Sequence, residues 1–239
     1  RKESSAASDV YKRQGASIPS IINTAVKFSY PAVVQPITDA AVHWVDNDRS
    51  AGKFVPSNGS FTPVANIKNT GNQDINSTIN ISYTIENSSG ALVNLGFKSL
   101  SSLATGADTT LILGTPYNLT GTGTFTLNTY LSGVSGDLIK SNDTNRMIFK
   151  AVDTVITPTI LDYSSGISSG GGIGWSGGNG GVATYFEPPY YPAQVTGTNF
   201  YIQANATPPV GFYSMLYDDG GRTTPQGALL DSAFFPGTS

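Results

Sequence analysis

Residues 77–86 (STINISYTIE) constrain this chain more than any other stretch. Ile79, Ile81, Tyr83 and Ile85 fall on one side of an extended backbone, with Thr78, Asn80, Ser82, Thr84 and Glu86 on the other. Period two with a single apolar side marks an antiparallel strand covered on one face and wet on the other. A helix would scatter the same apolar residues around its circumference. Asn87-Ser88-Ser89-Gly90 follows with turn chemistry, and Ala91–Phe97 returns as a partner strand. Val42 and Trp44 share a strand face, and Phe61–Ile67 reads as the next strand. Leu111 with Leu113, then Phe125, Leu127 and Thr129, and finally Met147–Val152 continue the series. About seven short strands separated by turns predict an antiparallel two-sheet sandwich over residues 37–155. Ile79, Ile81, Tyr83, Ile85, Phe125 and Leu127 are expected in its core.

Charged residues make up 12% of the chain, against about 25% in an average soluble domain. Ser, Thr, Asn and Gly must supply the polar surface, a mixture suited to strands and turns of extracellular β proteins. A net charge of −3 gives no electrostatic footprint for nucleic acid or anionic lipid. The absence of cysteine excludes disulfides and thiolate metal sites. No run approaches the ~18 apolar residues of a membrane span.

Pro63-Val64-Ala65-Asn66-Ile67-Lys68-Asn69-Thr70-Gly71 is an apolar strand running into an N-x-G turn. Gly136-Asp137 and Asn142-Asp143-Thr144 stand just before the last strand. With these features, residues 37–153 resemble the cell-adhesion-related domain, an immunoglobulin-like bacterial module abbreviated CARDB. The resemblance implies a non-catalytic, immunoglobulin-like sandwich.

From Thr157 the composition shifts. Residues 164–181 (SSGISSGGGIGWSGGNGG) are dense in Gly and Ser. Strands are expected at 182–186, 195–204 and 212–217, with a turn at Asp218-Asp219-Gly220-Gly221 and a turn-like remainder. Tyr163–Gly166, Gly172–Trp175, Tyr185–Pro192 and Tyr217–Gly227 resemble the opening half of a jelly-roll module of bacterial proteins exported by the type IX route. The expected fold class is therefore all-β, an immunoglobulin-like antiparallel sandwich followed, over 156–239, by a truncated second β-sandwich or jelly roll. Residues 15–36 read as the tail of a preceding domain and a linker. Asp9-Val10-Tyr11-Lys12-Arg13-Gln14, within residues 1–14, resembles translated sequencing adapter, so the chain is expected to start inside a gene.

Chemical motifs are sparse. Gly166-Ile167-Ser168-Ser169-Gly170 matches the G-x-S-x-G nucleophile elbow, and Gly172–Gly177 spells G-x-G-x-x-G. The first needs a strand–turn–helix with a base later in the chain, and the second needs a βαβ unit. Neither context is expected, and the single histidine, His43, lies upstream between Val42 and Trp44 as a strand residue. Glu187 and Asp218 as a glycosidase pair would have to face each other across a cleft, and turn or surface roles are expected instead. Asp46, Asp48 and Ser50 space oxygen ligands at alternate positions before Gly52, as calcium loops do, though an ordinary Asx turn explains them too. Trp175, Tyr190 and Tyr191 offer rings that would stack on a sugar or fill a sandwich corner.

These features predict no enzyme, no catalytic residue and no cofactor beyond that calcium candidate. They predict a spacer and adhesion region of a large secreted or cell-surface bacterial protein, whose partners are other domains of its own chain and surface glycans or proteins. The alternatives are an ancillary region of a secreted hydrolase, most plausibly a peptidase, and a carbohydrate-binding module.

Overall fold

The computed structural model describes residues 35–46, 52–155, 158–163, 181, 183–199, 211–221 and 226–236. The chain divides into two units, Arg1–Pro36 and Ile37–Ser239, and every element below belongs to the second. In chain order the strands are β1 (Ala40–Val45), β2 (Gly52–Pro56), β3 (Ser60–Phe61), β4 (Val64–Asn69), β5 (Ile79–Asn87), β6 (Leu92–Leu100), β7 (Asp108–Ile112), β8 (Tyr117–Asn118), β9 (Gly123–Ser132) and β10 (Thr144–Val152). They form a three-stranded sheet β1-β4-β7, a five-stranded sheet β2-β10-β9-β5-β6 and a short pair β3-β8. The all-β sandwich expected from the periodicity is present. One pairing departs from the antiparallel expectation: β2 runs parallel to β10, from Gly52 opposite Ile148 to Pro56 opposite Val152.

Period two decides which face is inside. Ile79, Ile81, Tyr83 and Ile85 are all buried, beside Leu127 and Leu131 of β9. Ala40, Val42, Ala65 and Ile67 of the smaller sheet belong to the same core. Phe149 stacks between Phe61, at 4.0 Å, and Phe125, at 5.2 Å. Each such fully buried side chain contributes about 1.5–3 kcal/mol through loss of apolar surface to water. Tyr83 lies against Gly96 and Gly114, where an added Cβ would come within 2.5 Å and 2.2 Å of its ring or hydroxyl. Its hydroxyl donates to Asn94 Oδ1 at 2.9 Å, which satisfies the one polar atom this side chain brings inside.

Several local expectations need correction. A register shift between Val42 and Trp44 turns the end of β1, so Val45 is buried and Trp44 only half-buried. The strand expected at Phe61–Ile67 is two strands, β3 and β4, interrupted at Thr62-Pro63; Pro63 has no N–H, and its carbonyl accepts from Leu113. β2 begins at Gly52, directly after the expected calcium loop.

Downstream, residues 183–186 and 195–199 are not strands. Pro188, Pro189 and Pro192 remove ladder donors from this region. Phe186 instead stacks on Tyr163 at 4.8 Å, and Tyr163 packs on Phe54 of β2, also at 4.8 Å. The Tyr163 hydroxyl donates to the Gly52 carbonyl at 3.3 Å, and Lys150 Nζ donates to the Asp162 carbonyl. These groups cover β2, an edge strand of the larger sheet. The expected strand near 212–217 is present as β11 (Phe212–Asp219), and where a turn-like remainder was expected it pairs with β12 (Gln226–Phe235). Residues 1–34 lie outside the described residues, so the readings of 1–14 and 15–34 do too.

Candidate functional site

The two motif fragments behind the family resemblance are remote in sequence and meet in space at Asp39, immediately before β1. Asp39 is fully buried. Its Oδ2 accepts from the Thr70 hydroxyl and from Asn142 Nδ2 at 2.8 Å, and its Oδ1 accepts from the Ile139 N–H at 2.9 Å. Its carbonyl accepts from the N–H groups of Thr70 and Gly71, at 3.0 and 3.2 Å. Gly71 is required by the approach itself: a Cβ there would lie 2.3 Å from the Ile37 carbonyl oxygen and 2.9 Å from the Asp39 nitrogen. Asn69 fixes the turn from below. Its Nδ2 donates to the carbonyls of Gln73 (2.9 Å) and Leu103 (3.0 Å), and its Oδ1 accepts from the Gly71 N–H (3.0 Å).

On the far side, Lys140 Nζ bridges Asp137 Oδ2 at 3.3 Å and Asp143 Oδ2 at 3.4 Å. The Asp137 side chain is only 2% exposed. Burial pushes its carboxyl up to about 6, helped by the neighbouring carboxyls of Asp143 and Asp39 and opposed by Lys140. Asp39 responds the other way. Burial favours its neutral form, but donation from Thr70, Asn142, the Ile139 N–H and Asp137 outweighs that and holds it below the usual carboxylate range. Sequence reasoning missed Asp39 entirely. The Asn69–Gly71 and Asp137–Asp143 fragments were visible as motifs, without any sign that a third residue joins them.

The candidates named from sequence are placed as follows. Asp46 lies at the end of β1 with φ 54°, and its N–H donates to the Val64 carbonyl at 2.6 Å. Its Oδ1 pairs with Lys53 Nζ at 3.2 Å, while its Oδ2 is buried without a hydrogen-bond partner. Burial raises its carboxyl, Lys53 opposes this, and the charge of Glu187 adds to the rise. It lines a cavity of about 280 Å³ together with Lys53, Phe61, Val64 and Pro189. Asp48 and Ser50 lie outside the described residues, as do Trp175, Ser168 and both glycine motifs. Tyr190 and Tyr191 are exposed. His43 occupies a strand position, its Nδ1 3.2 Å from Asn66 Oδ1, and Asn66 Nδ2 donates to Asp108 Oδ2 (2.6 Å) and Thr110 (3.1 Å). This is a cross-strand polar tie over β1, β4 and β7.

The outer face of the five-stranded sheet offers a different kind of surface. Phe97, Ser82 and Tyr130 stand in one row across β6, β5 and β9, and Leu95, Thr84 and Asn128 in the next. Leu95 and Phe97 are 64% and 63% exposed. The first row continues at Thr144 of β10 and the second at the exposed Arg146, so the face is uncharged over β6, β5 and β9 in these two rows and carries a cation at β10.

No protein-family model matches the chain, and no curated protein matches it. Among solved structures it is similar to the CARDB domain of a Pyrococcus furiosus protein in a crystal structure with di-metal ions. That match has 19% identity and a TM-score of 0.35, covering 50% of this chain and 96% of that one. A solution structure of the Pyrococcus furiosus domain gives 19% identity and a TM-score of 0.34, covering 49% of this chain and 95% of that one. The ASH/PapD-like domain 7 of human CEP192 gives 10% identity and a TM-score of 0.26, covering 55% of this chain and 99% of that one.

Proposed function

We propose that this protein is a non-catalytic spacer and adhesion module of a secreted or cell-surface bacterial protein, exported by the type IX route. The observation that carries this reading is the parallel pairing of β2 with β10. β2 lies near the start of the sandwich and β10 ends it. Tension applied at the two ends therefore pulls these strands along their length in opposite directions. Every hydrogen bond from Gly52–Ile148 to Pro56–Val152 is then loaded together, in shear. A spacer that holds other domains away from a surface needs this property. The outer sheet face around Leu95 and Phe97 supplies the contact surface, apolar at these two side chains and bordered by Arg146 of β10, as adhesion to a glycan or protein requires.

Stretching the full chain by its ends tests the proposal. The sandwich should resist and then yield in one step, lengthening by roughly 350–400 Å as residues 37–155 extend at about 3.3–3.6 Å each. Gradual yielding without a distinct rupture, or turnover of a peptide, ester or glycoside that His43→Ala abolishes, would overturn it. A carbohydrate-binding reading is favoured by one feature, the adjacent exposed rings of Tyr190 and Tyr191. Glycan-array binding lost in a Tyr190→Ala/Tyr191→Ala variant would select it.

A further inference from the structure

The polar knot at Asp39 is short of positive charge. Three carboxylates, Asp39, Asp137 and Asp143, meet one ammonium, Lys140, which bridges Asp137 and Asp143 through one oxygen of each. The other oxygens of those two side chains, Asp137 Oδ1 and Asp143 Oδ1, are buried and accept no hydrogen bond. Asn142 commits its Nδ2 to Asp39 and leaves its own buried Oδ1 equally unpartnered. Asp39 differs from these, since both of its oxygens are already engaged by donors. Three buried acceptors without a donor, in side chains linked through Asp39 and Lys140, are costly to leave as they stand.

We propose that Asp137, Asn142 and Asp143 form a calcium site in which these three oxygens bind the ion directly. Two carboxylates and an amide carbonyl are hard oxygen donors of the kind calcium accepts, and water completes the six to eight ligands it takes. Among the described residues no group of three acidic or histidine side chains could hold a metal; here the third ligand is the amide of Asn142. Residues 137–143 form a loop that is closed at both ends. The Leu138 N–H donates to the Thr38 carbonyl, and the Asp143 carbonyl accepts from Leu131. An ion bound there would stiffen the loop before β10, which Ile139 and Asn142 already join to Asp39 at the start of β1. This site is separate from the Asp46, Asp48 and Ser50 candidate.

Calorimetric titration of the full chain with calcium chloride, after chelation and desalting, tests the assignment. A site with few protein ligands should bind with a dissociation constant on the order of 10⁻⁴–10⁻³ M, as extracellular calcium modules do. Millimolar calcium should raise the thermal midpoint by several degrees, with a smaller effect from magnesium. Asp137→Asn and Asp143→Asn should each weaken binding about tenfold or more, whereas Asp46→Asn should leave it unchanged. Lys140→Ala removes the competing ammonium and should strengthen binding several-fold; it also keeps the test valid if the aspartate variants fold poorly. Absence of calcium-dependent heat and of a midpoint shift in the unsubstituted chain would overturn the proposal, leaving a proton among these carboxyls as the missing charge. Binding abolished by Asp46→Asn but untouched by Asp143→Asn would overturn it as well.

Discussion

Asn69 is the most informative residue to change, because its side chain is 99% hidden and its three hydrogen bonds have unequal importance. In Asn69→Ala the Leu103 carbonyl still accepts from the Ile75 N–H at 3.0 Å, and the Gly71 N–H keeps its longer bond to the Asp39 carbonyl. The Gln73 carbonyl, by contrast, loses the donor that the side chain supplied without such a backbone replacement. Losing three bonds at about 0.5–1.5 kcal/mol each, with one acceptor left bare, predicts a cost of about 2–4 kcal/mol. Asn69→Asp has nearly the same shape but turns an acceptor, charged at neutral pH, toward two carbonyl oxygens. It should cost more than Asn69→Ala, although it removes less volume. Urea unfolding of the full chain followed by far-ultraviolet circular dichroism gives both values. With a slope of about 2 kcal/mol per molar, the middle of the usual range, the alanine variant should lower the midpoint by roughly 1–2 M. An Asn69→Asp variant as stable as the unsubstituted protein would refute the reasoning, since shape alone would then account for the residue.

Thr129 is fully buried in β9, and its hydroxyl oxygen has no partner, so Thr129→Val should stabilise the sandwich by about 1 kcal/mol in urea unfolding; a loss would mean the hydroxyl is satisfied. Asp46 gives a pH-dependent effect. Its folded carboxyl lies above the value of the unfolded chain, so the native state holds a proton the unfolded state has released, and stability falls as pH rises through the folded value. In chelator, Asp46→Asn should therefore be more stable relative to the unsubstituted chain at pH 7 than at pH 4, and a difference independent of pH would contradict this. Leu95→Ser/Phe97→Ser should leave the unfolding free energy within about 0.5 kcal/mol of the original while reducing retention on glycan or protein arrays, and undiminished retention would place the contact surface elsewhere.

The sequence made β5 legible because one face is buried and the other wet, which leaves a clean alternation. It hid β2, which starts with Gly52, ends with Pro56 and pairs in parallel with a strand almost a hundred residues away, so no turn announces it. β12 was hidden for a related reason. Most of its residues are exposed, so no buried face imposes alternation, and Leu229-Leu230 breaks any period. The Asp39 knot was legible only in pieces. Thr70 reaches Asp39 across 31 positions and Ile139 across 100, and local composition carries no trace of such pairings. The tie from His43 to Asn66 was likewise out of reach, since it depends on the register shift between Val42 and Trp44.

The direction of pulling tests the mechanical role of β2 and β10 most directly. Handles at the two ends of the chain load their parallel ladder in shear. Handles at Gly121 and Asp153 instead pull at one end of the antiparallel β9–β10 pair, next to Gly123 opposite Ala151, and break its bonds one after another. The account predicts an unfolding force several-fold higher for end-to-end pulling than for pulling between residues 121 and 153. Equal forces in the two geometries, or a weaker end-to-end response, would contradict it.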